Sequence, residues 1–201
     1  MSYTFSRREF LKYSAATAVA MAGAGLLGGC EYQDPNNPVS KKLNSYLDSA
    51  LQLRAGLRDM KIDHGTCTLT VDIQSARENP FKLDPSCFSV SVIGVDVDAD
   101  GKTKTFQRYF SMNNNNRGVK FLNATSILIS KKNPKVEGLQ MVATEFPDLQ
   151  DGDTVLFQYI PESTMSNYSL NWEITKEVYD AHNKPSSGSS GVPEPGASTT
   201  T

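Results

Sequence analysis

The sequence predicts a mainly β protein, an antiparallel β-sandwich of about seven strands preceded by one amphipathic helix. Three observations indicate this class. Apolar and polar residues alternate through most of the chain after Gly65. Pairs of turn-forming residues interrupt the alternation at short intervals. Only one stretch, which lies before Gly65, has helical periodicity.

The predicted helix covers residues 43–60. Apolar residues recur there at alternating spacings of three and four, and two more leucines widen the same face: Leu43, Tyr46, Ala50, Leu53, Leu57 and Met60, with Leu47 and Leu51. We expect this helix to lie against its own domain or to form a stalk. A coiled-coil seam or a partner-binding helix is the alternative.

The first predicted strand follows Gly65, where Cys67, Leu69, Val71 and Ile73 alternate with Thr66, Thr68, Thr70 and Asp72. Six further strands are predicted at 88–97, 104–111, 119–130 with a break at Asn123, 138–144, 154–160 and 168–175. The turn signals between them are Asn79-Pro80, Asp84-Pro85, Asp100-Gly101, the run 113–116, Asn133-Pro134 and Asp151-Gly152.

The two ends of the chain have different compositions from the middle. Residues 30–40 contain two prolines and few apolar residues, which predicts a tether. Residues 183–201 are rich in Pro, Ser, Gly and Thr, which predicts a disordered tail. The intervening residues 41–182 are enough for one domain with its own core.

The N-terminus contains Arg7 and Arg8 followed closely by Phe10 and Leu11, and a weakly apolar Ala/Gly run then ends at Leu27-Gly28-Gly29-Cys30. These two elements together resemble the export signal of a bacterial twin-arginine lipoprotein. The 17 residues from Tyr13 to Gly29 are short and only mildly hydrophobic for a ~30 Å hydrocarbon core, which favours a removed signal (1–29) over a retained span.

The resemblance implies a lipid-modified membrane anchor. In such proteins a diacylglycerol is attached to the cysteine thiol, the preceding peptide bond is cut, and the new amino terminus is often acylated, for instance with palmitate. Cys30 would therefore hold the mature protein outside the cytoplasm on a bacterial membrane. The alternative is an ordinary cleaved signal that happens to be followed by a cysteine.

Residues 149–161 resemble the turn-plus-strand element of small immunoglobulin-like domains on bacterial surface lipoproteins. This second resemblance implies that the sandwich is immunoglobulin-like and that the domain belongs with binding modules. The Cys…Trp…Cys spacing of antibody domains is not met, because Trp172 follows both downstream cysteines.

Net charge argues against a nucleic-acid partner. Removal of residues 1–29 takes three of the 20 basic and one of the 22 acidic side chains, which leaves 17 and 21 and a formal charge of −4. The mature chain has no basic block. We expect the lipid on Cys30 to be its membrane contact.

Cys67 and Cys87 could form a disulfide in an oxidising compartment, which would contribute on the order of 3 kcal/mol. The alternating pattern places Cys67 in phase with the buried Leu69, whereas Cys87 is out of phase with Phe88 and Val90. This pattern favours two separate thiols, and the disulfide stays open as the alternative.

Asp96, Asp98 and Asp100, followed by Gly101, match the opening of a calcium-binding loop. The second half of that loop fails, because Gln107 stands where a bidentate glutamate is needed. The pattern favours a β-hairpin at Asp100-Gly101, with a weak calcium site as the alternative.

Three classes of function remain. His64 and His182 are far apart in sequence, a His64/Cys67 nucleophile pair is disfavoured by the core pattern at Cys67, and no standard catalytic motif occurs. We therefore expect no cofactor and a non-catalytic, lipid-anchored binding or interaction module, with residues 113–116 as a candidate contact loop. The alternatives are an accessory subunit of an exported redox complex and a surface hydrolase with an unrecognised carboxylate pair.

Overall fold

The computed structural model describes residues 34, 36–97, 99–112, 119–122, 124–161 and 168–184. Strands make up most of this part of the chain, and their bounds are β1 (Val39–Ser40), β2 (Ser45–Ser49), β3 (Leu53–Asp63), β4 (Thr66–Ser75), β5 (Phe81–Leu83), β6 (Phe88–Val97), β7 (Thr103–Met112), β8 (Lys120–Phe121), β9 (Ile127–Ile129), β10 (Lys135–Thr144), β11 (Thr154–Tyr159) and β12 (Leu170–Thr175). A 3-10 turn (Pro85–Cys87) precedes β6, and helix α1 (Lys176–Asn183) follows β12.

Two five-stranded sheets carry the fold. Sheet A has the order β1-β12-β11-β6-β7 and sheet B the order β2-β3-β4-β10-β8, while β5 and β9 form a separate pair. The pairs within both sheets are antiparallel except β1 with β12, which is parallel. The predicted mainly β, antiparallel sandwich is confirmed.

The core between the sheets contains a row of large aromatic side chains. The ring of Phe88 stacks on those of Phe157 and Tyr159, with centroids 5.9 Å and 4.9 Å away, and Phe157 contacts Trp172 at 5.4 Å. All four residues are buried. The indole Nε1–H of Trp172 donates to Ser45 Oγ at 3.1 Å, which satisfies its polar group and links sheet A to the start of β2.

The helix predicted at 43–60 is wrong, because these residues form the hairpin β2–β3. Leu53, Ala55 and Leu57 alternate toward the core in β3. The register of β3 against β4 then shifts between Leu57 and Asp59, and Met60 faces the core again three residues after Leu57. This bulge produces the spacing of three that imitates a helix in the sequence.

Gly56 explains why the β3 strand fits beside β2. Tyr46 is its direct partner in the ladder, and the Tyr46 ring lies close to the glycine. A Cβ atom at position 56 would come within 2.5 Å of Tyr46 Cε1. A glycine inside a strand often marks such a close approach.

Helix α1 was not expected from the sequence, although the strand before it was. Thr175 caps the helix, since its side chain accepts a hydrogen bond from the Val178 amide. The Tyr179 hydroxyl accepts a hydrogen bond from the Ile62 amide at 3.0 Å, and Asn183 Nδ2 donates to the Met60 carbonyl at 3.3 Å. The helix therefore attaches to the end of β3.

The predicted tether at 30–40 is too long at its C-terminal end. Val39 and Ser40 pair with Asn171 and Trp172 as strand β1. Just before them, the Asn36 carbonyl accepts a hydrogen bond from the Ser169 amide at 3.1 Å. The chain is thus fixed to the edge of sheet A from Asn36 onward.

The predicted strand at 119–130 is also corrected. It divides into β8, which extends sheet B, and β9, which pairs with the unpredicted strand β5. The predicted break at Asn123 lies outside the described residues.

The two ends of the sandwich are distinct. At the entry end, where the chain joins sheet A, Ser169 meets Asn36 and the Ile160 amide donates to the Cys87 carbonyl at 2.8 Å. At the hairpin end lie the β6–β7 turn, the turn at 151–153 and helix α1, and the Lys176 amide donates to the Asp153 carbonyl at 3.0 Å.

Candidate functional site: the β6–β7 hairpin

Several of the sequence-predicted site residues lie outside the described residues. They are Arg7, Arg8, Phe10 and Leu11 of the export signal, Cys30, Asp98 and the loop at 113–116. Export and lipid attachment therefore stay predictions.

Cys67 and Cys87 are both reduced thiols in the structure. Cys67 is the second residue of β4 in sheet B near the helix α1 attachment, and Cys87 precedes β6 at the entry end of sheet A. The disulfide between Cys67 and Cys87, which was the alternative left open by the sequence, is not formed in the structure. Burial raises the pKa of the Cys67 thiol to about 12, so it is not a nucleophile at neutral pH.

The suggested His64/Cys67 pair does not assemble. The His64 side chain is exposed and contacts the Asp63 carboxylate, whereas Cys67 is buried. A nucleophile and its base must lie within hydrogen-bonding reach of each other.

The hairpin predicted at Asp100-Gly101 is confirmed. Val97 pairs with Thr103 and Asp96 with Lys104 on either side of this turn. Asp96 Oδ1 accepts a hydrogen bond from the Val97 amide at 2.8 Å, so one oxygen of this predicted calcium ligand has a local partner.

The base of the hairpin is held by an ion pair between Arg108 and the buried Asp153. Asp153 Oδ2 also accepts a hydrogen bond from the Gln150 amide at 2.8 Å. The Arg108 stem crosses Gly94, where a Cβ would lie 2.7 Å from Arg108 Cδ. The register shift opposite Val92 and Ile93 places Arg108 as the extra residue of a bulge in β7.

Tyr109 fixes the next position of β7 to the core. Its ring meets that of Phe146 edge-on at 4.9 Å, and its hydroxyl donates to the Thr144 carbonyl at 2.7 Å. The ion pair and this tyrosine together anchor the base of the hairpin to the rest of the domain.

The outer part of the hairpin exposes large apolar side chains on both faces. Val95 is 43% exposed, Val97 61% and Phe106 49%. Val95 and Val97 share one face, and Phe106 belongs to the other because its ladder partner is Gly94. Apolar side chains concentrated on one protruding element are typical of a contact surface.

Strand β7 is an edge strand of ten residues. It is the last strand in the order of sheet A, where it pairs with β6. The other outer strands of the two sheets, β1, β2 and β8, have between two and five residues. An edge strand of this length can accept an extended chain through main-chain hydrogen bonds.

A polar cluster on the outer face of sheet B was missed in the sequence. Asp72 accepts hydrogen bonds from the Tyr46 hydroxyl at 2.6 Å and from the Gly138 amide at 2.7 Å, and Arg58 Nη1 lies 3.6 Å from its Oδ1. The hydrogen bond to Asp72 raises the pKa of Tyr46. The incorrect helix at 43–60 hid this cluster, because it removed Tyr46 from the sheet.

The Tyr46 ring contacts two residues of strand β3. It lies close to Gly56, and the Arg54 guanidinium lies over the ring at 5.3 Å from its centroid. The tyrosine is still 44% exposed. The hydrogen bonds and the ion pair of the cluster connect the strands of sheet B.

A shallow notch of about 330 Å³ lies at the entry end. It is lined by the β2–β3 turn and the chain after β4: Ala50, Leu51, Gln52, Arg77, Glu78 and Asn79. The notch is wide open, and its charged side chains are on the surface.

The described residues contain neither a metal-binding cluster nor a membrane-spanning helix. No group of three or more His, Cys, Asp or Glu side chains in this part of the chain is close enough to hold a metal ion. Within the same residues, no helix has the length and apolar character needed to cross a membrane.

Comparisons with known proteins give structural similarity only. No family model and no curated protein matches the chain. The yjhA protein of Bacillus subtilis is similar in structure, with 10% identity, a TM-score of 0.39, and 67% of this chain aligned to 99% of that chain.

Two more solved structures are similar in the same range. A candidate lipoprotein of Bacillus subtilis, ycdA, has 14% identity and a TM-score of 0.39, with 68% of this chain aligned to 40% of that chain. An uncharacterised β-sandwich protein of Clostridium difficile has 10% identity and a TM-score of 0.35, with 73% of this chain aligned to 99% of that chain. Values this low assign neither family nor function.

Proposed function

We propose that this protein is a non-catalytic, lipid-anchored binding module outside the cytoplasm, and that the β6–β7 hairpin contacts a partner protein. The observation that carries the proposal is the combination of the Arg108–Asp153 ion pair at the base of the hairpin, exposed apolar residues toward its tip, and the edge position of β7. An element that is anchored at its base has less conformational entropy to lose on binding than a free loop.

The binding chemistry would be strand addition. An extended segment of the partner adds to the outer side of β7, main-chain hydrogen bonds supply affinity, and Phe106 supplies an apolar anchor. The function needs no cofactor and no reacting group. A weak calcium site at Asp96, Asp98 and Asp100 would lie in the turn of the same hairpin and is secondary to this proposal.

The location proposed for the module depends on the sequence. The twin-arginine signal and Cys30 would give export and lipid attachment, and the formal charge of −4 makes nucleic acid an unsuitable partner.

The proposed class of domain is an immunoglobulin-like sandwich. With β3, β4, β10 and β8 as strands A, B, E and D, and β6, β11 and β12 as C, F and G, the neighbours within each sheet follow the immunoglobulin order. Strands β1, β2 and β7 extend the two sheets, and β5–β9 forms a separate pair. Domains of this architecture are frequent in surface recognition.

The test of the contact uses a photo-crosslinking amino acid at Thr105 of β7, in the full chain within its native membrane. We expect a crosslinked product of one defined mass, which Phe106→Ser and Val97→Ser reduce severalfold. Leu128→Ser is the matched control, since Leu128 is 62% exposed on β9 and lies outside the hairpin. An unchanged product in both hairpin variants, or loss in the control as well, would contradict the proposal.

The anchor has a separate test. Mass spectrometry of the N-terminal peptide should find acyl chains on Cys30, and Cys30→Ser should release the protein from membranes. An unmodified Cys30 in an exporting host would refute the anchor without affecting the crosslinking result.

A further inference from the structure

We propose that Asp34 and residues 36–40 are a clamp that orients the sandwich on the membrane, with the entry end toward the lipid and the β6–β7 hairpin facing away. This inference rests on the lipid anchor at Cys30 proposed above. It assigns the membrane as the partner of the entry end, and it makes the hairpin the part presented to other proteins.

Hydrogen bonds tie the clamp together internally. Asp34 Oδ1 accepts a hydrogen bond from the Asn36 amide at 2.9 Å, and Asp34 Oδ2 accepts one from Asn37 Nδ2 at 2.9 Å. The Asn37 amide also donates to the Asp34 carbonyl at 2.9 Å. These bonds form a turn that begins at Asp34.

Further hydrogen bonds fix the clamp to sheet A. Asn37 Oδ1 accepts hydrogen bonds from the Ser169 amide at 3.1 Å and from Ser169 Oγ at 2.9 Å. The Pro38 carbonyl accepts one from the Asn171 amide at 3.0 Å, and β1 continues the attachment along β12. An Asn side chain that accepts two bonds from one residue holds both the position and the direction of the chain.

The chain between the clamp and the proposed lipid anchor is short. Only residues 31–33 separate Cys30 from Asp34. Consecutive Cα atoms are 3.80 Å apart, so these two residues are at most about 15 Å apart in any conformation. The entry end must therefore lie close to the membrane surface.

The hairpin lies far from the entry end. Strand β6 runs ten residues from Phe88 at the entry end to Val97 at the hairpin, which corresponds to ~33 Å. The ~15 Å of chain is shorter than this length. In addition, β7 lies on the side of sheet A opposite β1, so the clamp also places the β7 edge away from the attachment point.

The test uses the full lipidated chain, purified from an exporting host and placed in vesicles that contain a headgroup-quencher lipid. A fluorophore is attached to Glu78→Cys at the entry end or to Asp151→Cys at the hairpin end, both on exposed side chains. The background is Cys87→Ser, and the buried Cys67 should not react because burial raises its pKa.

We expect severalfold stronger quenching of the label at 78 than of the label at 151. Insertion of about 15 Gly and Ser residues after Tyr32 should reduce this difference, because such a linker adds a reach of roughly 20 Å. Asn37→Ala should also reduce it, and its melting curve will show whether the domain stays folded.

Equal quenching at the two positions, or stronger quenching at 151, would overturn the orientation while the lipid anchor stands. A difference that the insertion does not change would overturn the role of the clamp. An unmodified Cys30 would overturn both the anchor and this inference, and the mass of the N-terminal peptide identifies that case.

Discussion

At the scale of single residues, Asp72 shows how a carboxylate can be nearly buried on the outer face of a sheet. The Tyr46 hydroxyl and the Gly138 amide donate to its two oxygens, and Arg58 supplies a positive charge. Each partner comes from a different strand or bulge. The cluster therefore connects β2, β3, β4 and β10 on the side of sheet B that faces away from the core.

We predict that Tyr46→Phe lowers the free energy of unfolding by about 1 kcal/mol at neutral pH. The substitution removes one hydrogen bond to a carboxylate that keeps its other partners. Denaturant unfolding of the two proteins measures the difference. An unchanged midpoint would mean that solvent replaces the tyrosine hydroxyl without loss.

The same pair predicts a dependence on alkaline pH. The pKa of Tyr46 is raised above its ordinary value of 10.0 in the folded protein, mainly by the hydrogen bond to Asp72. The unfolded chain then loses its proton first, so this contribution to stability is complete below pH 10 and decreases as the pH rises through and beyond that value. The difference between wild type and Tyr46→Phe should narrow above pH 10 in the same unfolding assay, and a widening difference would contradict the assignment.

Asp153→Asn should cost about 3 kcal/mol of unfolding free energy. It leaves the Arg108 guanidinium, which is mostly buried, without its carboxylate. Asp48→Asn is the control, because Asp48 and Arg54 form an exposed pair at 3.9 Å that should contribute less than about 1 kcal/mol. Equal effects of the two substitutions in thermal or denaturant unfolding would refute the role of the ion pair in the hairpin base.

At the scale of elements, strands with an uninterrupted period of two were predictable. The prediction at 88–97 matches β6, and those at 154–160 and 168–175 match β11 and β12 within one or two residues. Strand β3 was not predictable, because its bulge changes the spacing of apolar residues. Helix α1 was missed because it has only eight residues, in which Val178 and Tyr179 are the large side chains that pack against the core.

For helix α1, we predict that Tyr179→Phe destabilises its attachment. The substitution removes the hydrogen bond from the Ile62 amide, and we expect a loss of about 1 kcal/mol. Hydrogen exchange should become faster at Ile62 and in the helix, with little change in β11. Uniformly faster exchange throughout the domain would show that the helix is not a separate unit.

At the scale of the whole molecule, the β6–β7 hairpin was predictable from the sequence, but the exposure of its apolar side chains was not. The Asp100-Gly101 pair specifies a turn, and the flanking valines alternate as in any strand. Whether Val95, Val97 and Phe106 are covered depends on how far the second sheet extends, and no local pattern contains that information. The same holds for Arg108 and Asp153, which are 45 residues apart in the chain.

The attachment of β1 leads to a prediction about the whole domain. A chain that starts at Lys41 should be less stable than one that starts at Asp34 by roughly 2–4 kcal/mol, since it loses several main-chain and Asn37 hydrogen bonds. Calorimetry or denaturant unfolding of the two chains measures this difference. Equal stability would mean that residues 34–40 act as the flexible tether that their composition predicts.

The buried thiol of Cys67 can report how often the domain opens, because it reacts only when it is exposed. Burial raises the pKa of this thiol to about 12, so it stays protonated at neutral pH while the domain is closed. Thiol reagents can therefore modify it only during moments when sheet B opens, and the modification rate counts those moments. In an oxidising compartment, the same opening rate would limit how fast Cys67 is oxidised.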